Sequence, residues 1–170
     1  MSYMIAIIAI ILGVALDQYT KSLAIMHLQD GPIPIIEGVF ELQYLENRGA
    51  AFGILQNQQT FFFITGIITL VVVAFIYIRM PRKKFYLPLR ICMVSIVAGA
   101  VGNMIDRIRL QYVVDFFYFK LIDFPIFNVA DIFATVATFG LIILLLFYYK
   151  DEDIDALAKA VMFKKKEKQE

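Results

Sequence analysis

The chain has 170 residues, of which 61% are hydrophobic and 18% are charged, whereas a soluble domain is roughly half apolar and a quarter charged. A chain of this size cannot bury so much apolar surface in its own core, which excludes an ordinary soluble domain and indicates one membrane domain. The net charge of +1 gives no broad positive field, so no nucleic acid partner is predicted.

Four apolar stretches are each close to the ~20 residues that a helix needs to cross ~30 Å of hydrocarbon. In chain order they cover about 4–25, 61–78, 89–105 and 126–149. The third is the shortest and requires a tilted helix or a thinner bilayer. The first has no Lys or Arg before it and no small-residue cleavage site after it, so it is interpreted as a retained span. The predicted fold class is an α-helical integral membrane protein with four transmembrane helices.

Between the first two spans, the segment 33–46 alternates apolar and polar residues in part and is punctuated by glycine and proline. This pattern is typical of short strands with one covered face, and it predicts a small sheet within about 33–55. Residues 1–150 are therefore assigned to a single membrane-embedded domain. The charged tail, 151–170, has apolar residues at helical spacing before a lysine run, which fits an interfacial helix or a solvated tail.

Lysine and arginine are unevenly distributed among the connections. They are concentrated in the connection 79–90 and in the tail, whereas the connection 27–60 has only Arg48. The positive-inside rule then predicts that both termini and the 79–90 connection are cytoplasmic. The connections 27–60 and 106–125 are predicted to lie outside.

Ionisable residues inside apolar spans are costly, so each is a candidate functional residue. Asp17 and Lys21 lie four residues apart near the outer end of the first span, where they fit a helix-end ion pair or the support of a site at the same depth. Asn103, Asp106 and Arg107 lie on one face at the end of the third span. They fit interfacial anchoring or membership of such a site.

Two aspartates with apolar neighbours occur at a similar predicted depth. Asp115 follows the third span and Asp131 begins the fourth. Read separately, Asp115 is a loop residue and Asn128 is the N-cap of the fourth helix. Read together, they place two carboxylates close to each other on adjacent helices. Such a pair shares one proton. One group can then act as a base on water while the other donates a proton to a carbonyl oxygen, and peptide hydrolysis requires both roles.

The sequence has few of the residues and motifs that other hydrolytic mechanisms need. The only histidine is His27, and neither a zinc-peptidase motif nor a serine-hydrolase motif occurs. Lys21 and Ser22 do not form a serine–lysine pair, because neighbouring helix residues point about a hundred degrees apart. No P-loop or dinucleotide fingerprint is present, and the sequence implies no metal or organic cofactor.

Five motifs in a consistent order and spacing resemble lipoprotein signal peptidase, also called signal peptidase II. They are Asp17-Gln-Tyr-Thr-Lys21, Asn47-Arg-Gly-Ala-Ala-Phe-Gly53, Gly102-Asn-Met-Ile-Asp-Arg107, Val113-Val-Asp-Phe116 and Phe127-Asn-Val-Ala-Asp131. The resemblance covers residues 17–131. It implies four transmembrane helices, a small extracytoplasmic β-sheet and a short extracytoplasmic helix over the site.

The same resemblance implies an aspartyl endopeptidase that removes the signal peptide from diacylglyceryl-modified bacterial prolipoproteins by cutting before the lipidated cysteine. It assigns Asp115 and Asp131 as the catalytic pair. The residues expected to bind substrate or support the site are Asp17, Lys21, Asn47, Gly49, Asn103, Arg107, Asn128 and Ala130. The expected location is the bacterial cytoplasmic membrane, with the active site near its outer surface. We expect a monomer that contacts membrane lipid and the lipidated signal peptide.

Two positions depart from the family pattern. The family often has glycine pairs in the third span, where Ala98 precedes Gly99 here. The family often has a glycine before the Val-Val-Asp sequence, and Gln111 takes that place here. The substitution bears on the turn that leads into Asp115.

Three other functions use similar residues. An ion-coupled transporter would need carboxylates along a path across the membrane, but Asp17, Asp106, Asp115 and Asp131 all fall near the outer ends of the spans. A non-catalytic binding protein would not need two aspartates held together. A peptidase of the prepilin type would carry a Gly-x-Gly-Asp motif, which is absent.

Overall fold

The computed structural model describes residues 1–49 and 55–162. The elements of this part, in chain order, are α1 (Tyr3–His27), β1 (Ile33–Ile36), β2 (Phe40–Asn47), α2 (Gln59–Arg79), α3 (Leu87–Leu110), β3 (Val113–Tyr118), α4 (Val129–Ile143) and α5 (Asp151–Met162). Short 3-10 turns precede α3 and follow β3, at Lys84–Tyr86 and Lys120–Ile122, and a π-helical turn, Leu144–Tyr148, extends α4. The short outer helix that the resemblance implies is thus a single 3-10 turn in the described residues.

Four helices of the described chain, α1 to α4, are long and apolar enough to cross a membrane. The shortest of the four spans is α4, which has 20 residues when its π-helical extension is counted. At 1.5 Å per residue it is about 30 Å long, enough to cross the hydrocarbon layer. Their outward faces carry exposed apolar side chains such as Ile11, Val71 and Phe139. Such faces suit lipid and not water, as the predicted fold class requires.

The three strands form one antiparallel sheet in the order β1-β2-β3. The segment with partial alternation supplies β1 and β2, as predicted. The third strand differs from the sequence interpretation, which placed Asp115 either in a loop after the third span or on a helix adjacent to that of Asp131. Its residues from Val113 to Phe116 are all buried, so the strand has no polar face and no alternation to reveal it.

Helix α3 lies at the centre of the bundle and contacts α1, α2 and α4. Small residues allow this approach. A Cβ atom on Gly99 would overlap the carbonyl oxygen of Ala130 on α4, and one on Gly102 would press on the carboxylate of Asp17 on α1. Close helix packing in a membrane depends on such residues, and here it fixes the depth of α4 relative to α3.

The turn after α3 contains Gln111 in the left-handed conformation, with φ of 66°. Glycine adopts this conformation most easily, which is consistent with the family pattern. The side chain of Gln111 partly offsets the strain, because its Nε2 donates a hydrogen bond to the carbonyl oxygen of Arg107 at 3.1 Å. The chain therefore makes the turn into β3 without the glycine.

The tail begins with α5, which packs Ile154 and Leu157 against the apolar cluster at the end of the bundle. Arg79, at the end of α2, donates a hydrogen bond to the carbonyl oxygen of Val161 at 2.9 Å. This contact satisfies a free carbonyl at the last turn of α5. The lysine run of the tail, 164–168, lies outside the described residues.

Candidate active site

Asp115 lies on β3, and its side chain is almost fully buried, with 1% exposed. Both carboxylate oxygens accept hydrogen bonds from amides. Oδ1 accepts from Nδ2 of Asn128 at 2.6 Å, and Oδ2 accepts from Nδ2 of Asn47 at 2.8 Å. The strand pairing explains the second contact, because β2 and β3 are neighbours and Asn47 ends β2. Asp115 is thus held from two sides.

Asp131 lies in the first turn of α4, where it forms a capping box with Asn128. The Asn128 side chain accepts from the backbone N–H of Asp131 at 2.9 Å, and Oδ2 of Asp131 accepts from the backbone N–H of Asn128 at 3.1 Å. This arrangement satisfies two N–H groups at the helix start. Oδ1 of Asp131 accepts from Nδ2 of Asn103 at 2.8 Å. The carboxylate is therefore fixed by its own helix and by α3.

Two asparagine amides connect the two aspartates. Nδ2 of Asn128 donates to Asp115 and also to Oδ1 of Asn103 at 3.1 Å, while Nδ2 of Asn103 donates to Asp131. The hydrogen-bond chain Asp115–Asn128–Asn103–Asp131 joins β3, α4 and α3. Asn128 is fully buried, with 0% exposed, so water does not compete for these bonds.

Behind this chain lies a buried charged cluster centred on Lys21. Its Nζ is 3.0 Å from Asp17 and 2.9 Å from Asp106, and it donates to Oδ1 of Asn103 at 2.9 Å. The other oxygen of Asp17 accepts from the backbone N–H of Ala130 at 2.9 Å. The cluster therefore ties α1 to α3 and to the start of α4, next to Asp131.

The backbone of β3 is anchored by the same cluster. Oδ2 of Asp106 accepts from the backbone N–H of Val114 at 3.1 Å, one residue before Asp115. Oδ1 of Asp106 accepts from Nε2 of Gln18 at 2.8 Å. Sequence reasoning named Asp106 but left it out of the proposed site, and it missed Gln18. The available signal was a polar side chain next to Asp17 in an apolar span.

Arg107 lies at the rim of the site. Its guanidinium donates to the carbonyl oxygens of Asn103 and Gly49, each at 3.4 Å, and lies 4.6 Å from the centre of the Phe62 ring. Its Nε has no hydrogen-bond partner among the described residues. Gly49 in turn donates from its backbone N–H to Oδ1 of Asn47 at 2.9 Å, which orients that amide toward Asp115. The rest of this motif, 50–53, lies outside the described residues.

Both aspartates face a cleft of about 520 Å³. Its polar end is formed by the groups described above. Its apolar walls come from α2, from the connection after β3 and from α4, with Phe62, Phe124, Pro125, Ile126, Phe127, Ile132 and Val136. A cleft of this size with a few convergent polar groups has the character of a ligand site. An apolar chain in extended conformation fits such a lining.

Burial, and after it the negative charge of Asp131, raise the pKa of Asp115 to about 7. The hydrogen bonds from Asn47 and Asn128 act in the opposite direction. A raised pKa favours the retention of one proton on the pair. This is the protonation state in which one carboxyl can donate while the other accepts.

The structure brings all ten of the predicted site residues together. Seven line the cleft or contact the aspartates directly: Asn47, Gly49, Asn103, Arg107, Asp115, Asn128 and Asp131. Asp17, Lys21 and Ala130 lie one layer behind. The simpler interpretations hold as well, because Asn128 is an N-cap and Asp17 pairs with Lys21. One detail differs: Asp115 is on a strand and not on a helix adjacent to that of Asp131.

A family model described as signal peptidase (SPase) II matches residues 8–147. The chain is 44% identical over 146 residues to the lipoprotein signal peptidase of Clostridioides difficile (strain 630), covering 85% of this chain and 97% of that protein. It is 42% identical over 149 residues to the lipoprotein signal peptidase of Streptococcus pyogenes serotype M1, covering 86% of this chain and 94% of that protein.

Two solved structures, each described as a bacterial membrane enzyme structure by the in meso method, are similar throughout. The match to the structure at 2.3 Å resolution has a TM-score of 0.75 and 30% sequence identity, and it covers 99% of this chain and 96% of the solved chain. The match to the structure at 1.9 Å resolution has a TM-score of 0.75 and 33% sequence identity, and it covers 86% of this chain and 96% of the solved chain. The predicted four-helix membrane fold and the resemblance stated above are confirmed, and the chain belongs to the signal peptidase II family of membrane peptidases.

Proposed function

We propose that this chain removes the signal peptide from diacylglyceryl-modified prolipoproteins, cutting before the lipidated cysteine, with Asp115 and Asp131 as the catalytic pair. The observation that carries the proposal is the hydrogen-bond chain through Asn128 and Asn103, which fixes both carboxylates at one cleft in a member of this family. Membership of the family supports the substrate class.

The reaction needs one proton on the pair. The ionised carboxylate accepts a proton from water, and the water oxygen forms a bond to the scissile carbonyl carbon. The protonated carboxyl donates to the carbonyl oxygen. In the second half, one hydroxyl of the tetrahedral intermediate gives its proton to the ionised carboxylate as the carbonyl re-forms, the C–N bond breaks, and the leaving nitrogen takes a proton from the other carboxyl. The pair ends with one proton, as it began, so no other group has to be regenerated.

The amides hold the two carboxylates in position for these transfers. An Asn side chain does not titrate near neutral pH, so Asn47, Asn103 and Asn128 orient the carboxylates without competing for the proton. Arg107 has a planar fork of donors at the rim of the cleft. It suits two acceptors of a substrate, either carbonyl oxygens or a phosphate.

The shape of the cleft supports a lipid-anchored substrate. Val136 lines the cleft and is 66% exposed on the outer surface of α4, where lipid would lie. A substrate that is held in the bilayer by its acyl chains can therefore reach the aspartates sideways. Gly49 lines the cleft and has no side chain, so a peptide backbone can approach closely at this position.

The remaining elements of the proposal concern the membrane. We infer that the site faces the outer surface of the cytoplasmic membrane, because the basic connection 79–90 lies at the opposite ends of α2 and α3. Both termini are then cytoplasmic. Residues 1–150 act as the peptidase domain, surrounded by lipid and working as a monomer, and 151–170 form its cytoplasmic tail.

One comparison tests the proposed function. The purified chain is incubated with a prolipoprotein that carries diacylglyceryl on its cysteine and with the same protein without the lipid. We expect cleavage of the lipidated form before the cysteine and much slower cleavage of the other. If neither form were cut in a protein that remains folded, the peptidase proposal would be withdrawn.

A further inference from the structure

A second cavity, of about 570 Å³, lies between α1, α2 and α3 in the half of the bundle that faces the 79–90 connection. Its lining is almost entirely apolar, with Ile7, Leu70, Ala74 and Val97 among the walls. Ile7 and Ala74 are exposed on the outer face of the bundle, so the cavity is a groove that opens toward lipid. None of the residues of the proposed active site takes part in it.

Positive charge lies at the rim of this groove. Tyr3 forms the rim, where its hydroxyl donates to the carbonyl oxygen of Ile78 at 3.2 Å. The guanidinium of Arg82 lies over the Tyr3 ring, 4.3 Å from its centre. Arg82, Lys83 and Lys84 are consecutive and all exposed. An anion at the mouth would therefore meet Arg82, with two further exposed cations next to it in the chain.

A buried cation contacts one wall of the same groove. Arg90 is 1% exposed, and its guanidinium lies 4.6 Å from the centre of the ring of Tyr77, which lines the groove. Its Nη2 donates to the carbonyl oxygen of Met80 at 2.6 Å. Among residues 1–49 and 55–162 no carboxylate pairs with Arg90, and its Nε and Nη1 have no hydrogen-bond partner. A buried positive charge without a counter-ion favours an anion nearby.

We propose that this groove is a binding site for an anionic phospholipid. One acyl chain lies between α1, α2 and α3, and the phosphate contacts Arg82 at the mouth, with Lys83 and Lys84 close by. A zwitterionic lipid offers the same acyl chain and phosphate, but its ammonium group is repelled by the cluster of cations. The charge at the mouth therefore gives a preference for anionic headgroups. The site is separate from the proposed catalytic cleft and does not depend on it.

Native mass spectrometry of the full chain in detergent tests the site. Phosphatidylglycerol and phosphatidylcholine with identical acyl chains are added separately and in competition. We expect the first bound lipid to be phosphatidylglycerol, with a preference of about fivefold or more, the size expected for one cation near an anionic headgroup. Inorganic phosphate at the same concentration should not displace it, because phosphate alone does not fill the apolar groove.

Two pairs of variants locate the bound lipid. Arg82→Gln should remove most of the preference, whereas Lys159→Gln, which removes one exposed charge from α5 at the same end of the molecule, should keep it. Ala74→Phe should fill the groove and lower occupancy by both lipids. Val72→Phe is the matched control, since Val72 is an exposed residue of α2 that does not line the groove.

Equal binding of the two lipids by the wild-type chain would overturn the proposal. So would an equal effect of Arg82→Gln and Lys159→Gln, which would mean general attraction by the positive end. Displacement by inorganic phosphate would point to a free anion instead of a lipid. Retention of the bound lipid in Ala74→Phe would place it elsewhere. All four substitutions are at exposed positions, so the variants are expected to fold.

Discussion

Asn128 has two structural functions at once. Its side-chain oxygen and backbone N–H close the capping box at the start of α4, and its amide nitrogen holds Asp115. An N-cap of aspartate, serine or threonine would also satisfy the helix, but an ionised aspartate has no donor and a hydroxyl has only one. The amide nitrogen of Asn128 donates twice, to Asp115 and to Asn103. The helix start and the site geometry are therefore set by one side chain, and the choice of residue reflects the site.

The first prediction concerns the two aspartates. Asp115→Asn and Asp131→Asn each keep the shape of the side chain but remove the proton transfer, so we expect cleavage to fall by roughly 10³-fold or more. Insertion and folding should survive. Activity and thermal unfolding are measured together, with Asp30→Asn, at an exposed position, as the control. Turnover near the wild-type rate in either variant would exclude that residue from the catalytic pair.

The second prediction follows from the pKa of Asp115, which burial raises to about 7. The pair must hold one proton. Cleavage should fall as the pH rises through about 7, because the proton is lost, and fall again at low pH, because both carboxyls are protonated. The stability that protonated Asp115 contributes is complete below the unfolded pKa of about 3.9 and is lost through about 7. A kcat/KM profile without a basic limb would contradict this.

The third prediction concerns Lys21, the only cation that pairs with Asp17 and Asp106 among the described residues. Lys21→Met keeps the length of the side chain but leaves two buried carboxylates without a counter-ion. We expect a loss of about 3 kcal/mol or more in stability. Thermal unfolding in detergent gives the measurement.

Lys120→Met provides the matched control for this experiment. Lys120 pairs with Glu41 at 3.1 Å, but its side chain is about half exposed, so the loss should be at most about 1 kcal/mol. Equal losses of stability in the two variants would mean that the buried cluster around Lys21 contributes no more to stability than a half-exposed ion pair.

At the scale of elements, the helices were predictable because length and apolar composition determine what can cross a bilayer. The third strand was not predictable, since β3 is buried on both faces and lacks a polar side. The same limit applied to the site. The motifs named Asp115 and Asp131 as a pair, but the sequence could not reveal that β3 pairs with β2 and so brings Asn47 to Asp115. Contacts between distant segments leave no local pattern.

The fourth prediction concerns the turn after α3. Gln111→Gly removes the strain of a side chain at positive φ and should stabilise the protein by up to about 1 kcal/mol. Gln111→Ala keeps the strain and also loses the hydrogen bond to Arg107, so it should destabilise. Thermal unfolding of the two variants separates the contributions. A glycine variant less stable than wild type would mean that the side-chain hydrogen bond outweighs the backbone strain.

At the scale of the whole molecule, charge and chemistry lie at opposite ends of the bundle. The aspartates, the amides and the buried cluster around Lys21 occupy the end near the sheet. The exposed cations from Arg82 to Lys84 and the helix α5 occupy the other. The exposed cations can orient the protein, since positively charged connections are retained on the cytoplasmic side of the membrane. The aspartates then lie at the opposite membrane surface, which is compatible with cleavage of the substrate there.

The last prediction tests that orientation. Cys92 is the only native cysteine, so a Cys92→Ala background is free of thiols before new ones are introduced. Gln58→Cys and Lys120→Cys, at exposed positions near the sheet, should react in intact cells with a reagent that does not cross the membrane. Lys83→Cys should react only after the cells are opened, which also demonstrates that it is accessible. Because the 79–90 connection and the aspartates lie at opposite ends of the bundle, labelling of Lys83→Cys in intact cells would place the aspartates on the cytoplasmic side. Prolipoproteins already inserted across the membrane do not present their cleavage site there.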